Sequence, residues 1–218
     1  MISVVLLMAG RGTRMGANEN KILLPLGNKE IYRHSLDKFL ERGYEVICVI
    51  NRDDEDKIVN KLPKNVKYVY GGALRGDSVF EGIKKASGDY ILIHDSARPF
   101  IKDDVLDEIE KIKSDDKCIL TYLPVKNTIK VKGDNLKTLE RDNLISATTP
   151  QCGPKKLLLE AYTKAINENT YFTDDISLIE YYYPKTKIDL VLANEEIFKI
   201  TTPLDLKIAE IVWSEMND

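Results

Sequence analysis

The feature that most constrains this chain is a repeated alternation. Short runs rich in Val, Ile and Leu lie at Ser3–Leu7, Glu45–Ile50, Val66–Tyr70, Tyr90–His94, Cys118–Leu123 and Ile188–Leu192. They are not strictly alternating apolar and polar, which is the pattern of strands covered on both faces. Helix-like stretches separate them. Glu30–Arg42 sets Ile31, Leu36, Phe39 and Leu40 near helical spacing and stops before Gly43, a C-cap residue. Ser78 to Glu81 has capping-box spacing ahead of Gly82–Ala86. Asp103–Lys113 begins with acids and ends with lysines, as the helix dipole favours. Pro154–Glu168 opens on a proline, and Asp174–Tyr183 and Pro203–Met216 are the last two helices. This order predicts an α/β fold, a Rossmann-like doubly wound and mostly parallel sheet. Such sheets bind ligands beyond the carboxyl ends of their strands, so the loops there are the place to look for chemistry.

One segment leaves this rhythm. Pro124–Ala147 is polar, and Thr128–Val131 can pair with Leu136–Leu139 around Gly133-Asp134 as a hairpin. The chain has 218 residues, which at roughly 150 residues per domain is about one and a half domains. The expected organisation is one domain over residues 1–218 with 124–147 inserted as a β-arm. An isolated hairpin is marginal in water, so the arm is expected to pack on a second copy, giving a homodimer. The net charge of −3 argues against a nucleic-acid partner but leaves small anionic ligands open. No stretch reaches the roughly 18 apolar residues of a membrane helix. The apolar run Ile2–Ala9 is too short and lacks a basic lead to be a signal peptide, so a cytoplasmic placement is expected. Cys48, Cys118 and Cys152 are odd in number and widely spaced, which reads as reduced thiols. The two histidines, His34 and His94, exclude a multi-histidine metal site within one chain.

After the first strand comes Met8-Ala9-Gly10-Arg11-Gly12-Thr13-Arg14-Met15-Gly16, with Lys21 close behind. Glycines here let backbone N–H groups approach a phosphate, and arginine can bind one through two parallel hydrogen bonds. The spacing is G-x-G-x-x-x-G, not the dinucleotide G-x-G-x-x-G, and a P-loop pattern is absent. On the residues alone, a loop with surface arginines stays open.

Further blocks follow in order: Gly71-Gly72 with Arg75-Gly76-Asp77-Ser78-Val79, His94-Asp95-Ser96-Ala97-Arg98-Pro99-Phe100, Pro124-Val125-Lys126-Asn127-Thr128, Arg141, Thr149-Pro150-Gln151, Thr173-Asp174, and Lys199-Ile200-Thr201-Thr202-Pro203-Leu204-Asp205-Leu206. The first loop looks like the signature of nucleotide-sugar-type nucleotidyltransferases. The ordered set, from Ile2 to about Ala209, resembles the 2-C-methyl-D-erythritol 4-phosphate cytidylyltransferase family of the non-mevalonate isoprenoid pathway. Ribitol-5-phosphate cytidylyltransferases of teichoic-acid synthesis share several of these blocks and are the alternative, and a non-catalytic nucleotide-binding protein is a second one. Against the family pattern, Met8 stands where alanine is usual, Ala73 where an acidic or polar residue is common, and Ile197 where asparagine is usual.

The resemblance implies a reaction and its residues. CTP, the co-substrate, would join a polyol phosphate and release pyrophosphate, with Mg²⁺ or another divalent cation held by Asp95. Arg14, Lys21, Arg141 and Lys199 would be catalytic. Met8, Ala9, Gly10, Arg11, Gly12, Gly72, Ser78 and Ser96 would bind CTP. Thr128, Arg141, Thr173 and Lys199 would bind the polyol phosphate, with Thr128 and Arg141 supplied by the partner subunit. Read without the resemblance, Ser78 can be a helix cap, Asp95 a turn acid, His94 strand packing and Lys199 an edge residue with its amine in water.

Overall fold

In the computed structural model, residues 1–10 and 20–217 are described, so Arg11, Gly12 and Arg14 lie outside the described residues. The chain runs β1 Ile2–Leu7, a 3₁₀ turn Lys21–Leu23, β2 Pro25–Leu26, β3 Lys29–Glu30, α1 Ile31–Glu41 and β4 Glu45–Ile50. It continues through α2 Glu55–Ile58, β5 Lys67–Tyr70, α3 Arg75–Lys85, β6 Tyr90–Asp95, α4 Asp103–Ile112 and β7 Lys117–Pro124. The remainder is β8 Lys130–Val131, β9 Lys137–Thr138, β10 Ile145–Pro154, α5 Lys155–Asn167, α6 Asp175–Tyr182, β11 Lys187–Leu192 and α7 Pro203–Asn217.

Seven strands form one sheet in the order β11-β7-β10-β6-β1-β4-β5. β1 pairs parallel with β4 and β6, β4 with β5, and β7 with β11. Each strand sends alternate residues to opposite faces. On β4, Val46, Cys48 and Ile50 join Leu36 and Phe39 of α1 and Leu106 and Ile109 of α4 on one face. Ile47 and Val49 join Val79 and Ile83 of α3, Leu158 and Ala161 of α5 and Ile179 of α6 on the other. Two buried faces explain why the strands read as continuous apolar runs, and the expected doubly wound, mostly parallel sheet is what forms.

Three local expectations change. β10 has no counterpart among the strands drawn from sequence: it lies antiparallel between β6 and β7 and makes the sheet mixed. Its sequence, Ile145-Ser146-Ala147-Thr148-Thr149-Pro150-Gln151-Cys152-Gly153-Pro154, holds two prolines and a glycine, which argue against a central strand. The structure accommodates them with a register shift between Ala147 and Gln151. Ile145–Ala147 therefore pair with β7 in the central sheet, and the part of 124–147 outside it is shorter than the sequence implied. Within that part, the hairpin ladder is limited to Lys130–Val131 against Lys137–Thr138. The third change is at α3, which starts at Arg75, not at Ser78. Asp77 accepts from the Leu74 N–H at 3.0 Å, so it performs the reach-back that the Ser78–Glu81 spacing suggested for Glu81.

A small third cluster fixes the C-terminal helix. Leu26, Ile31, Phe100, Ile200 and Ala209 are buried together with Trp213 packed against them. The Trp213 indole meets the His34 ring edge-on at 4.7 Å. Gly27 turns β2 into β3 with φ +62, and a Cβ there would lie 1.9 Å from Trp213 Nε1. Gly27→Ala must therefore both hold a left-handed backbone and displace the indole. We expect a loss of roughly 2–4 kcal/mol, read as a clear fall in Tm; a Tm equal to the parent's would refute this packing account.

Candidate active site

The site is built at the carboxyl ends of β1, β4, β5 and β6. A cleft of about 810 Å³ opens there, walled by the segments that follow those strands: Met8–Gly10, Asn51–Asp53, Gly71–Arg75 and Asp95–Ala97. Lys21, Ser78, Lys199 and Thr201 add to its polar lining. Gly71 permits the close approach of two walls, since a Cβ on it would meet Ser78 Oγ at 2.6 Å and the Ala9 Cβ at 2.8 Å.

At the centre stands Asp95, the last residue of β6. Its Oδ2 accepts from Lys199 Nζ at 2.8 Å. Arg75 Nε lies 3.7 Å from Oδ1, and Arg98 Nε 3.8 Å from Oδ2. Burial alone would favour the neutral acid, but Arg75, Lys199 and Arg98 outweigh it and hold the carboxyl well below its usual range. Asp95 is thus an anion inside a cationic ring. Arg98 also donates to the Ile197 carbonyl at 3.0 Å, which ties the turn after β6 to the segment before α7.

The backbone of Asp95 is set by its neighbours. Its N–H donates to Thr149 Oγ1 at 3.1 Å, and Thr149 Oγ1 lies 3.2 Å from His94 Nδ1. His94 Nε2 lies 3.0 Å from the Arg98 carbonyl, which makes Nε2 the protonated nitrogen and leaves Nδ1 to accept from Thr149. His94 is fully buried, and burial pushes its pKa down to about 4, so it is neutral near pH 7. Its imidazole packs edge-on against Phe39 at 5.3 Å. It orients Asp95 without facing the cleft.

Two serines line the cleft with their protons already committed. Ser78 Oγ donates to the Leu74 carbonyl at 3.2 Å, one turn back in α3. Ser96 Oγ donates to the Leu7 carbonyl at 2.7 Å. Each hydroxyl therefore offers lone pairs, not a proton, to a ligand. Asn20, just ahead of Lys21, donates to the Met8 carbonyl at 2.9 Å and so joins the end of the first loop to β1.

The structure thus gathers Met8, Ala9, Gly10, Lys21, Gly72, Ser78, Asp95, Ser96 and Lys199 at one cleft. It does not bring Thr128, Arg141 or Thr173 to that cleft within one chain. Thr128 and Arg141 are exposed between β7 and β10, and Arg141 donates to the Lys126 carbonyl at 3.4 Å. Thr173 is exposed just before α6. Lys199 is no edge-strand residue with its amine in water, because it is ion-paired to Asp95. Among the described residues, no group of three or more His, Cys, Asp or Glu side chains could hold a metal ion.

Sequence reasoning gave no role to Asn51, Arg52, Asp53 or Arg75, which also line the cleft. The rule that ligands sit beyond strand ends marks Asn51–Asp53, which follow β4 directly. Asp53 lies in the 3₁₀ turn Arg52–Asp54 at the cleft wall.

A mostly parallel sheet with a nucleotide-sized cleft at the carboxyl edge of its parallel strands, a glycine-bearing first loop and a cluster of cations around one aspartate defines a nucleotidyltransferase-type site. The sequence model of the family "2-C-methyl-D-erythritol 4-phosphate cytidylyltransferase" (IspD) matches residues 2–215. The chain belongs to that family. It is 38% identical to the enzyme of that name from Clostridioides difficile, covering 96% of this chain and 92% of the relative. It is 37% identical to the one from Aquifex aeolicus over the whole of both chains. Among solved structures, 4-diphosphocytidyl-2C-methyl-D-erythritol synthase from Anaerococcus prevotii superposes with a TM-score of 0.86 at 29% identity, covering 98% of this chain and 96% of that one.

The depressed His94 pKa carries a stability consequence. The unfolded chain binds this proton near pH 6.5 and the folded chain only near pH 4. Its stabilisation is whole above the first value, drains as pH falls between the two, and changes no further below the second. The loss over that window is roughly 3 kcal/mol. Denaturant unfolding of the parent and of His94→Gln at several pH values should show the parent's slope to be steeper between pH 6.5 and 4; equal slopes would mean that His94 is not held neutral.

Proposed function

We infer that this protein is a CTP-dependent cytidylyltransferase. It joins CTP to 2-C-methyl-D-erythritol 4-phosphate, giving 4-diphosphocytidyl-2-C-methyl-D-erythritol and pyrophosphate, a step of isoprenoid biosynthesis. The observation that carries the mechanism is the ring of Lys199, Arg75 and Arg98 around Asp95 in a cleft that Lys21 also lines.

An oxygen of the polyol phosphate attacks the α-phosphorus of CTP in line. A new P–O bond forms, the bond to the bridging oxygen breaks, and its electron pair leaves with pyrophosphate. Two anions must meet, so the work of the site is positioning and charge stabilisation. Lys199 lies where the α-phosphate and the incoming phosphate converge, and binding would draw its ammonium from Asp95 towards phosphate oxygens. Lys21, which lines the cleft, would stabilise the departing pyrophosphate, a role the family motif also gives to Arg14. Ser78 presents a lone pair that suits the amino group of cytosine; uracil, with a carbonyl at that position, offers no matching donor. Ala9, Gly10, Gly72 and Ser96 line the nucleotide pocket, with Met8, Arg11 and Gly12 on the same loop.

The donor set fits Mg²⁺. Asp95 is ionised and stands at the strand end, and one carboxylate completed by phosphate oxygens and waters is a normal site for this ion. Bound there, the cation would offset charge on the triphosphate.

The second substrate is assigned to Thr128, Arg141 and Thr173. Thr128 and Arg141 lie away from their own chain's cleft, which supports a homodimer in which residues 124–147 of one domain serve the cleft of its partner. No helix of the described residues is long and apolar enough to cross a membrane, which is compatible with small-molecule substrates in the cytoplasm.

The deciding assay is pyrophosphate release from CTP and Mg²⁺. Release with 2-C-methyl-D-erythritol 4-phosphate, with Lys21→Ala and Lys199→Ala lowering turnover about a hundredfold or more, is the expected result. A preference for ribitol 5-phosphate would overturn the polyol assignment, and binding of CTP without turnover on either polyol would overturn the enzyme. Mixing inactive Lys21→Ala and Arg141→Ala chains in equal amounts should restore about a quarter of parental activity if two subunits share each site; no recovery would refute the shared site.

A further inference from the structure

Outside the nucleotide cleft, the acid Asp175 stands at the start of α6. It is fully buried. Arg75 grips it with both terminal nitrogens, Nη1 to Oδ1 at 2.7 Å and Nη2 to Oδ2 at 2.8 Å. The Tyr162 hydroxyl of α5 donates to Oδ1 as well. The Asp175 N–H donates to Gln151 Oε1 at 2.8 Å, and the Ile176 N–H to the same oxygen at 2.9 Å. The Gln151 amide in turn donates to the Thr148 carbonyl and to Asp174 Oδ2, both at 3.2 Å. Arg75 of α3 and Tyr162 of α5 thus meet on the carboxylate of an α6 residue whose backbone N–H is held by Gln151 of β10.

The same guanidinium faces two ways. Its Nη edge is spent on Asp175, and its Nε edge looks at Asp95 Oδ1 from 3.7 Å. Arg75 is thus a strut between the centre of the cleft and the first turn of α6. Thr173 stands two residues ahead of Asp175. Replacing such a buried pair by apolar side chains is often neutral or stabilising, so stability alone gives little reason for this one. A planar, bidentate arginine does supply fixed distance and orientation.

We propose that Asp175 is a positioning residue for the second substrate: through Arg75 and Gln151 it fixes the segment Thr170–Asp174 at a set distance from Asp95, so that the polyol phosphate meets Thr173 and the reacting phosphate together. This rests on the reading of Thr173 as a polyol contact.

Asp175→Asn keeps the size and one acceptor of the side chain and removes the ion pair. The expected result is a KM for the polyol phosphate raised at least tenfold, with the KM for CTP changed less than threefold. Backbone amides of 170–174 should also exchange with deuterium faster than in the parent, a readout that needs no turnover. Asp175→Glu should recover part of the polyol KM. If Asp175→Asn does not fold, Tyr162→Phe, which removes the hydroxyl donor to Asp175 Oδ1 and lies outside the cleft, serves in its place, with the same direction of change in the polyol KM and in exchange of 170–174. Unchanged exchange in 170–174, or a lowered Tm with both KM values intact, would overturn the proposal and leave a structural ion pair. Thr173→Ala separates the two readings: if it leaves the polyol KM unchanged while Asp175→Asn raises it and loosens the segment, Thr173 loses its role and Asp175 keeps its own.

Discussion

Everything in this site is arranged around one ionised carboxylate at the end of a buried strand. Taking an acid out of water costs several kcal/mol unless cations replace its hydration. Asp95 draws them from three places: Arg75 at the start of α3, Arg98 in the turn after β6 and Lys199 in the segment before α7. The carboxylate therefore acts as an anchor that pulls separate parts of the chain to the sheet edge. Three cations face Asp95, and since Asp175 shares Arg75 the local surplus is one positive charge. A chain whose overall charge is −3 thereby concentrates positive potential where a triphosphate needs it, with Lys21 adding to the same cleft.

The anchor in turn depends on the antiparallel strand β10. Its register shift places Thr149 against the Asp95 backbone and Gln151 against the N-terminus of α6. Thr121 of β7 closes the other side, 2.9 Å from both Thr148 Oγ1 and the Pro150 carbonyl. A regular ladder would have sent these polar side chains alternately to the two apolar faces. Around the irregularity Thr148 meets Thr121, Thr149 meets the Asp95 N–H and Gln151 meets the Asp175 N–H, so their hydrogen bonds are satisfied. This is why a strand that carries Thr, Gln and Pro can sit in the middle of a sheet otherwise made of Val, Ile and Leu.

What could be read from sequence follows from how local each signal is. The parallel strands were legible because burial on both faces writes a continuous apolar run, and α1 and α4 because their apolar residues recur at helical spacing. β10 was not, because its pairing is decided by β6 and β7, which are distant in sequence, and its own residues look like a loop. Ser78 was placed at a helix start because Glu81 lies three residues on; Asp77, with its own reach-back to Leu74, outcompetes that spacing. Lys21, Ser78, Asp95 and Lys199 come together at the cleft as the family motifs implied. The link from Arg75 to Asp175 was invisible because a bidentate pair across 100 positions leaves no local pattern.

The arm completes this logic by failing to fit it. Almost every residue from Lys126 to Ala147 is exposed, including Ile129, Val131 and Leu136. A short two-stranded ladder with apolar side chains in water has no core of its own to hold it. Its Arg141 is likewise without a carboxylate partner among the described residues and donates to the Lys126 carbonyl. On the proposed homodimer, a second copy would cover the apolar residues and bring a phosphate to the arginine. On that arrangement the nucleotide half of the reaction is built from a single chain around Asp95. The polyol half would be divided between the segment braced by Asp175 and a neighbour's arm, so binding of the second substrate would be sensitive to assembly in a way that nucleotide binding would not.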